Sequence, residues 1–312
     1  MKYCLEVWGT NYEKIKEICI IAEKLEYDGF FYGETLSDID LDCWTVLSSL
    51  ASLTKIIKLG PVITYLFPQY RHISLLAKQA LTFQIISKGR LEFRTGAGAI
   101  LQYSRQWWNP YGIKYPKISD RIEILEEGLK VLKMFWNHND NQILSPVKFD
   151  GKYFKINNAV IKIPNIQTKN IPITVAARQE KTMNIASRYA DTWESSYISP
   201  QEFLELNQKF NNIIYKANES KISTIQRSIE LDVIIAESDD DLKHKERLFA
   251  VERGPDNLHY LKQRGLIGFP HTIIQRIKEY VDAGVDQFFL AFQNPFDVKS
   301  IKLFNDTVKN VI

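Results

Sequence analysis

Along most of the chain, short runs of consecutive apolar residues alternate with longer stretches in which apolar residues recur at every third or fourth position. The first kind of run predicts a buried strand and the second one apolar face of a helix. Residues 3–8 are followed by Ile15, Ile18, Cys19, Ala22 and Leu25, and this unit closes at Gly29. Residues 30–32 lead into a helix near 43–53, and residues 56–64 into one near 73–86 that Gly89 ends. Residues 90–95 are joined by a long aromatic connection to a helix at 119–136, for which Ser119 is placed as N-cap. Strands at 171–177, 191–195, 228–236 and 287–292 complete a set of eight, with helices near 181–189, 201–217 and 298–308.

Strands and helices in strict alternation predict parallel strands joined by right-handed crossovers. Eight such units in 312 residues make an α/β protein, a single (β/α)8 TIM barrel read as one domain over residues 1–312, with two packed α/β domains as the alternative. Two excursions interrupt the repeat. After strand four come the aromatic connection and, at 147–163, a hairpin marked by Asp150-Gly151 and Asn157-Asn158. After strand seven, residues 251–269 hold Gly254-Pro255, Gly265 and Gly268, too irregular for a barrel helix.

Composition narrows the function. Forty Lys and Arg against 37 Asp and Glu leave +3, which argues against disorder and against nucleic acid or membrane as partner. Cys4, Cys19 and Cys43 lack CxxC spacing, and the start does not read as a signal peptide, so a reducing cytoplasm is expected. No metal is expected: the five histidines, His72, His138, His244, His259 and His271, form no HExxH and no zinc spacing. The acidic run 237–241 reads as a helix start at Ser238, where anions favour the helix dipole. GxSxG and GxxxxGK[ST] are absent, and Gly96-Ala97-Gly98 lacks the third glycine of a dinucleotide fingerprint.

Barrel chemistry sits at the carboxyl ends of the strands. Those ends carry Trp8, Gly33 and Glu34, residues 62–64, 95–98, 177–179, 195–197 and 291–293. They are small, aromatic or neutral, with few titratable groups. Such a mouth suits a flat aromatic cofactor better than acid-base chemistry by side chains alone. None of the strand ends offers a lysine for Schiff-base chemistry.

Several segments, in order, resemble the luciferase-like superfamily of bacterial luciferase and deazaflavin reductases. They are Ala22-Glu23-Lys24-Leu25 through Gly29-Phe30, Lys58-Leu59-Gly60-Pro61-Val62-Ile63-Thr64, and Ser87-Lys88-Gly89-Arg90-Leu91 leading to Thr95-Gly96-Ala97-Gly98. Asp120-Arg121, Phe149-Asp150-Gly151-Lys152-Tyr153-Phe154, Ala190-Asp191-Thr192-Trp193 and Asp282-Ala283-Gly284-Val285-Asp286 continue the match. The resemblance implies reduced FMN or coenzyme F420 across the barrel mouth, a small organic substrate, a separate flavin or F420 reductase as electron source, and a homodimer. It places a bulge with a cis peptide at Val62, Ile63 and Thr64 behind the ring, and Gly96 and Gly98 beside the cofactor tail or substrate. The phosphate grip falls at Ala177, Arg178, Gln179 and Thr182, where a helix N-terminus favours an anion and Arg178 adds charge. Tight-turn, core and surface roles for these same residues remain open alternatives.

The chain also departs from that pattern. Thr35 stands where many relatives have histidine, and Ala99 where deazaflavin dehydrogenases often have a carboxylate. Glu34 is then the candidate catalytic group, because a carboxylate at a partly buried mouth is poorly solvated in its charged form. Both departures also motivate an alternative: a flavin-binding protein of the same fold with reduced catalysis. His72 reads as helix surface, and Trp107, Trp108 and Tyr111 as walls of an apolar pocket or of a subunit contact.

Overall fold

The computed structural model describes residues 1–136, 146–161, 171–218 and 224–311. The first half runs β1 (Lys2–Val7), α1 (Tyr12–Lys24), β2 (Gly29–Gly33), α2 (Cys43–Leu53), β3 (Lys58–Val62), α3 (Ile73–Ile86) and β4 (Phe93–Gly96). Next come α4 (Leu101–Trp108), α5 (Ile118–Trp136) and a two-stranded hairpin of β5 (Val147–Asp150) and β6 (Lys155–Ala159). The second half runs β7 (Ile173–Ala176), α6 (Glu180–Tyr189), β8 (Thr192–Ser196), α7 (Pro200–Asn218) and β9 (Gln226–Ile235). It ends with α8 (Asp239–Arg253), α9 (Pro255–Arg264), β10 (Leu266–Gly268), α10 (Pro270–Asp282), β11 (Gln287–Phe292) and α11 (Val298–Phe304).

The expected barrel is present. Its strand order is β3-β2-β1-β11-β9-β8-β7-β4, and β10 adds to β9 outside that path. All of these pairings are parallel. Between β3 and β4 the wall closes through two bridges, Leu59 with Leu91 and Thr64 with Thr95. The gap between them has a covalent cause: Pro61 has no N–H to donate. Toward β4, the Leu59 amide donates to Arg90 O at 3.0 Å and the Thr64 amide to Arg94 O at 2.9 Å. Five residues on one strand thus oppose four on the other, which is a bulge at the end of β3.

The cores divide by face. Helices pack on the outside through the predicted faces, such as Ile15, Ile18, Cys19 and Ala22 of α1. Inside the barrel the apolar cluster is small, formed by Cys4, Phe31 and Phe289 with Val62 against them. All three cysteines are buried and free. Among the described residues, no helix is long and apolar enough to cross a membrane.

Several expectations need correction. Ser119 does not cap α5: the helix opens one residue earlier, and the Arg121 amide already bonds Lys117 O at 2.9 Å, leaving Ser119 inside the first turn. Residues 251–269 are not irregular. Gly254, at φ 95°, lets α8 turn directly into α9 with Pro255 at its first position, and β10 then pairs with β9. The described chain has no cis peptide bond, so the backbone at Val62, Ile63 and Thr64 bulges in the trans form, with the Arg94 carbonyl holding the Thr64 amide. Ser238 does cap α8, accepting from the Asp241 amide, and β5 and β6 form the expected hairpin. Lys162 and Ile163 at the end of that reading, and His138, lie outside the described residues.

Close approach of β3 to β4 depends on Gly60. A Cβ there would lie 2.0 Å from the carbonyl oxygen of Glu92, a backbone atom that cannot swing aside. Gly60→Ala should therefore destabilise the fold by about 1–3 kcal/mol, as overpacking does, read as a lower midpoint in denaturant unfolding.

Candidate active site

Glu34 follows β2 and is 2% exposed. Its Oε1 accepts from Trp44 Nε1 at 3.2 Å and from the Tyr70 hydroxyl at 3.3 Å, and lies 2.8 Å from Arg71 Nη2. Its Oε2 accepts from the Thr64 hydroxyl. A partly buried, free carboxylate is thus not what the fold provides: the segment between β3 and α3 turns back at Phe67 and lays Tyr70 and Arg71 on Glu34. Sealed from water, the carboxylate needs those partners, since an unpaired buried ion costs several kcal/mol. Thr35, the neighbouring residue, donates to Asp40 Oδ2 at 3.2 Å. Burial, opposed by the Gly9 amide and Thr35, pushes the Asp40 carboxyl up to about 6.

Around Glu34 the predicted cofactor residues fall into two groups. Val62 packs inward on Cys4, Phe31 and Phe289, and its carbonyl accepts from the Glu34 amide at 3.3 Å. Thr64 joins Glu34 to β4, its carbonyl accepting from the Thr95 hydroxyl at 2.8 Å. Ile63 lies against Gly96, which pairs with Ala176 of β7, so these two belong to the same corner of the mouth. Gly98, at φ 84°, leaves room for the Tyr115 hydroxyl, so a tight turn accounts for that glycine. The second group starts at Ala177, buried with its carbonyl accepting from Trp193 Nε1 at 2.7 Å. Arg178 and Gln179 are exposed at the start of α6. The Thr182 hydroxyl accepts from the Gln179 amide at 3.2 Å and donates to its carbonyl at 2.9 Å, so Thr182 caps its own helix. His72 is an exposed N-cap of α3, its Nδ1 accepting from the Ser74 amide.

A further set of residues escaped the reading of strand ends. Arg94 is fully buried, with Nη1 2.5 Å from Glu6 Oε1, Nη2 2.8 Å from Glu194 Oε2 and 3.4 Å from Glu230 Oε2. Its strand β4 adjoins only β7 and β3, so contacts with β1, β8 and β9 are made across the barrel interior. The guanidinium also lies 3.6 Å from the Phe289 ring centroid. Glu92, one inward position deeper, accepts from the Thr174 hydroxyl and from Gln287. Burial and the Glu230 charge push Glu6 well above the usual carboxylate range. Burial raises Glu194 and Asp232 each to about 7. The signal was present in the sequence: Glu92 and Arg94, and Glu230 and Asp232, stand two apart within strand runs, on one face.

The mouth fits the group that the resemblance implies. Arg71 Nε and Trp108 Nε1 are buried with no acceptor among the described residues. Both border one aromatic box, in which Trp108 packs edge-on against Tyr65 and Tyr70 while Arg71 lies over Tyr70. An unsatisfied buried donor costs about 1–3 kcal/mol, which a flat ring bearing acceptor atoms can recover. The start of α6 with Arg178 suits an anionic tail, although Glu180 in its first turn opposes one.

The raised acids set a pH dependence. Glu194 binds its proton more tightly folded than unfolded, so its contribution to stability is full below its unfolded value near 4.5 and is lost as pH rises through about 7. Glu194→Gln removes that loss. Its stability relative to the parent should therefore rise steadily between those pH values, measured by urea unfolding across the range.

Comparison with known proteins agrees with this architecture. A model of the luciferase-like monooxygenase family matches residues 6–259. A phthiodiolone/phenolphthiodiolone dimycocerosates ketoreductase of Mycobacterium sp. (strain JLS) is 25% identical over 171 residues, 54% of this chain and 41% of the relative, so the chain spans well under half of that protein. An F420-dependent secondary alcohol dehydrogenase, solved with an F420-acetone adduct, superposes with TM-score 0.83 at 18% identity over 100% of both chains. EDTA monooxygenase from Chelativorans sp. BNC1 superposes with TM-score 0.81 at 16% identity, covering 100% of this chain and 93% of the other. With more than three quarters of its residues inside the family match, the chain belongs to the luciferase-like monooxygenase family.

Proposed function

We propose that residues 1–312 form one catalytic unit, a flavin- or deazaflavin-dependent oxidoreductase acting by hydride transfer or oxygen activation on a small organic substrate. Reduced FMN or coenzyme F420, bound at the mouth, supplies the electron chemistry. The observation that carries this reading is the pair of unsatisfied donors, Arg71 Nε and Trp108 Nε1, in the aromatic box beside the β3 bulge of a luciferase-like barrel. The ketoreductase relative and the F420-dependent dehydrogenase support the hydride-transfer branch, and EDTA monooxygenase the oxygen branch.

In this reading the bulge at Val62, Ile63 and Thr64 backs the ring, and Gly96 lets the backbone approach it. Ala177, Arg178 and Gln179, with the helix that Thr182 caps, hold the phosphate. Glu34 aligns Arg71 and Thr64 toward the ring. Gly98 shapes the turn beside the tail. The protein acts in the cytoplasm as a homodimer, consistent with its buried free thiols, and a separate reductase supplies reduced FMN where that is the cofactor.

Anaerobic calorimetric titration with FMN, reduced FMN and coenzyme F420 tests the proposal. One of them should bind at micromolar concentration, and Arg178→Ala should weaken it about fivefold, the equivalent of roughly 1 kcal/mol of charge interaction at a helix start. Binding without turnover of any ketone, alcohol or oxygen would favour the non-catalytic flavin-binding alternative. No binding to any of the three would overturn both readings.

A further inference from the structure

The mouth has a second titratable side, opposite the sealed Glu34. Tyr197 directly follows β8, and Glu230 of β9 holds it at two points: the Glu230 carbonyl accepts the Tyr197 amide at 2.9 Å, and Glu230 Oε1 accepts the Tyr197 hydroxyl at 2.5 Å. With both ends held, the backbone of Tyr197 stays at φ 54°, a conformation that a bulky residue adopts only where its surroundings impose it. The residue remains 41% exposed, so a side chain tied at its hydroxyl still faces the opening. Behind Glu230 lies the Arg94 cluster, where one guanidinium serves Glu6, Glu194 and Glu230. Arg71 Nε, on the β2–β3 side of the same mouth, is buried without an acceptor among the described residues.

We propose that Tyr197 is the catalytic proton donor of this mouth, that Glu230 is its positioning residue, and that the proton it passes on is replenished from the carboxylates around Arg94. The proposal rests on the oxidoreductase reading above. In reduction of a carbonyl substrate, the carbonyl carbon gains a hydride from a reduced flavin or deazaflavin, which is thereby oxidised, and the π pair moves to the oxygen. The Tyr197 O–H bond breaks as the O–H bond of the alcohol forms. The phenolate then regains a proton supplied by Glu194 or by solvent, while Glu230 holds the phenol oxygen in place. The reverse sequence oxidises an alcohol and returns one proton to the cluster.

Charge supports the direction of transfer. Burial and the Glu230 carboxylate hold the Tyr197 phenol well above its usual value, so it keeps its proton until a stronger base, such as an alkoxide, appears beside it. The groups facing the pair are Glu6 on β1, Arg94 on β4, Glu194 on β8 and Asp232 on β9, and Asp232 in turn faces Arg253 and Glu252 of α8. Three carboxylates on one guanidinium leave an excess negative charge in a closed interior, and protons held near neutral pH remove it.

Two measurements on the full chain test this. In the ligand-free protein, infrared difference titration should show protonated-carboxyl absorption lost near neutral pH, reduced in Glu194→Gln by that residue's share and displaced in Glu230→Gln; no such absorption in the parent protein overturns the proton store. In the loaded protein with a panel of ketones, Tyr197→Phe should lower kcat about 10²–10⁴-fold while KM and the cofactor Kd stay within threefold. Glu230→Gln, which keeps an acceptor for the hydroxyl, should shift the pH profile of kcat. A Tyr197→Phe protein within twofold of the parent, or a collapse confined to Asp40→Asn, overturns the role of Tyr197. Failure of the parent to bind FMN or F420 with that absorption present refutes the oxidoreductase reading and the transfer step with it, leaving the proton store standing.

Discussion

One buried guanidinium organises this barrel. A (β/α)8 interior is ordinarily filled by branched apolar side chains in layers, and here the apolar filling is reduced to Cys4, Phe31 and Phe289 beneath Val62. The remaining space is taken by Arg94 and the carboxylates it meets from β1, β8 and β9. Stripping a guanidinium of water is tolerable only when its donors are all met, and Arg94 needs acids from three other strands to achieve that. The ion cluster therefore ties the N-terminal strand to the second half of the chain, a connection that apolar packing on the outer face does not specify. Burial first, and then the excess of acid over base, raise Glu6 and Glu194.

That imbalance shapes the mouth above it. On the side of β2 and β3, Glu34 is fully matched by Trp44, Thr64, Tyr70 and Arg71, an arrangement that fixes positions and leaves the carboxylate little to exchange with solvent. On the side of β8 and β9, Glu230 is 14% exposed in its side chain and touches both Arg94 and Tyr197. Both acids face the same mouth. Their surroundings make one a brace and the other part of a network open to the outside.

Much of the fold was legible because parallel strands buried on both faces leave apolar runs, and crossover helices leave a three-and-four pattern, over eight repeats. The errors have local causes. Residues 251–269 hold three glycines and a proline, which read as irregular, yet Gly254 and Pro255 are the natural hinge and first residue of two abutting helices. Ser119 carries the right side chain for a cap, but a helix can start from any residue whose carbonyl is free, and Lys117 supplies it. The site was less legible. Strand ends identified Glu34, Gly96, Ala177 and Tyr197 as facing the mouth, whereas Glu6, Arg94, Glu194 and Glu230 lie within strands, and nothing local says that four segments far apart in sequence meet at one guanidinium.

Thr35 and Ala99, neither of them ionisable, gain a different meaning from this geometry. A barrel mouth needs an ionisable group near the reacting atoms only if protons cannot reach them from elsewhere. With an apolar interior the supply must come from the rim, and losing rim acids ends acid-base chemistry. With a charged interior it can come from below, along side chains that already touch: Glu194 to Arg94, Arg94 to Glu230, Glu230 to Tyr197. Arginine holds its own proton and fixes the spacing, so Glu194, raised to about 7, is the part that loads and unloads. The opening is then bounded by the aromatic box on one side and by Tyr197 on the other.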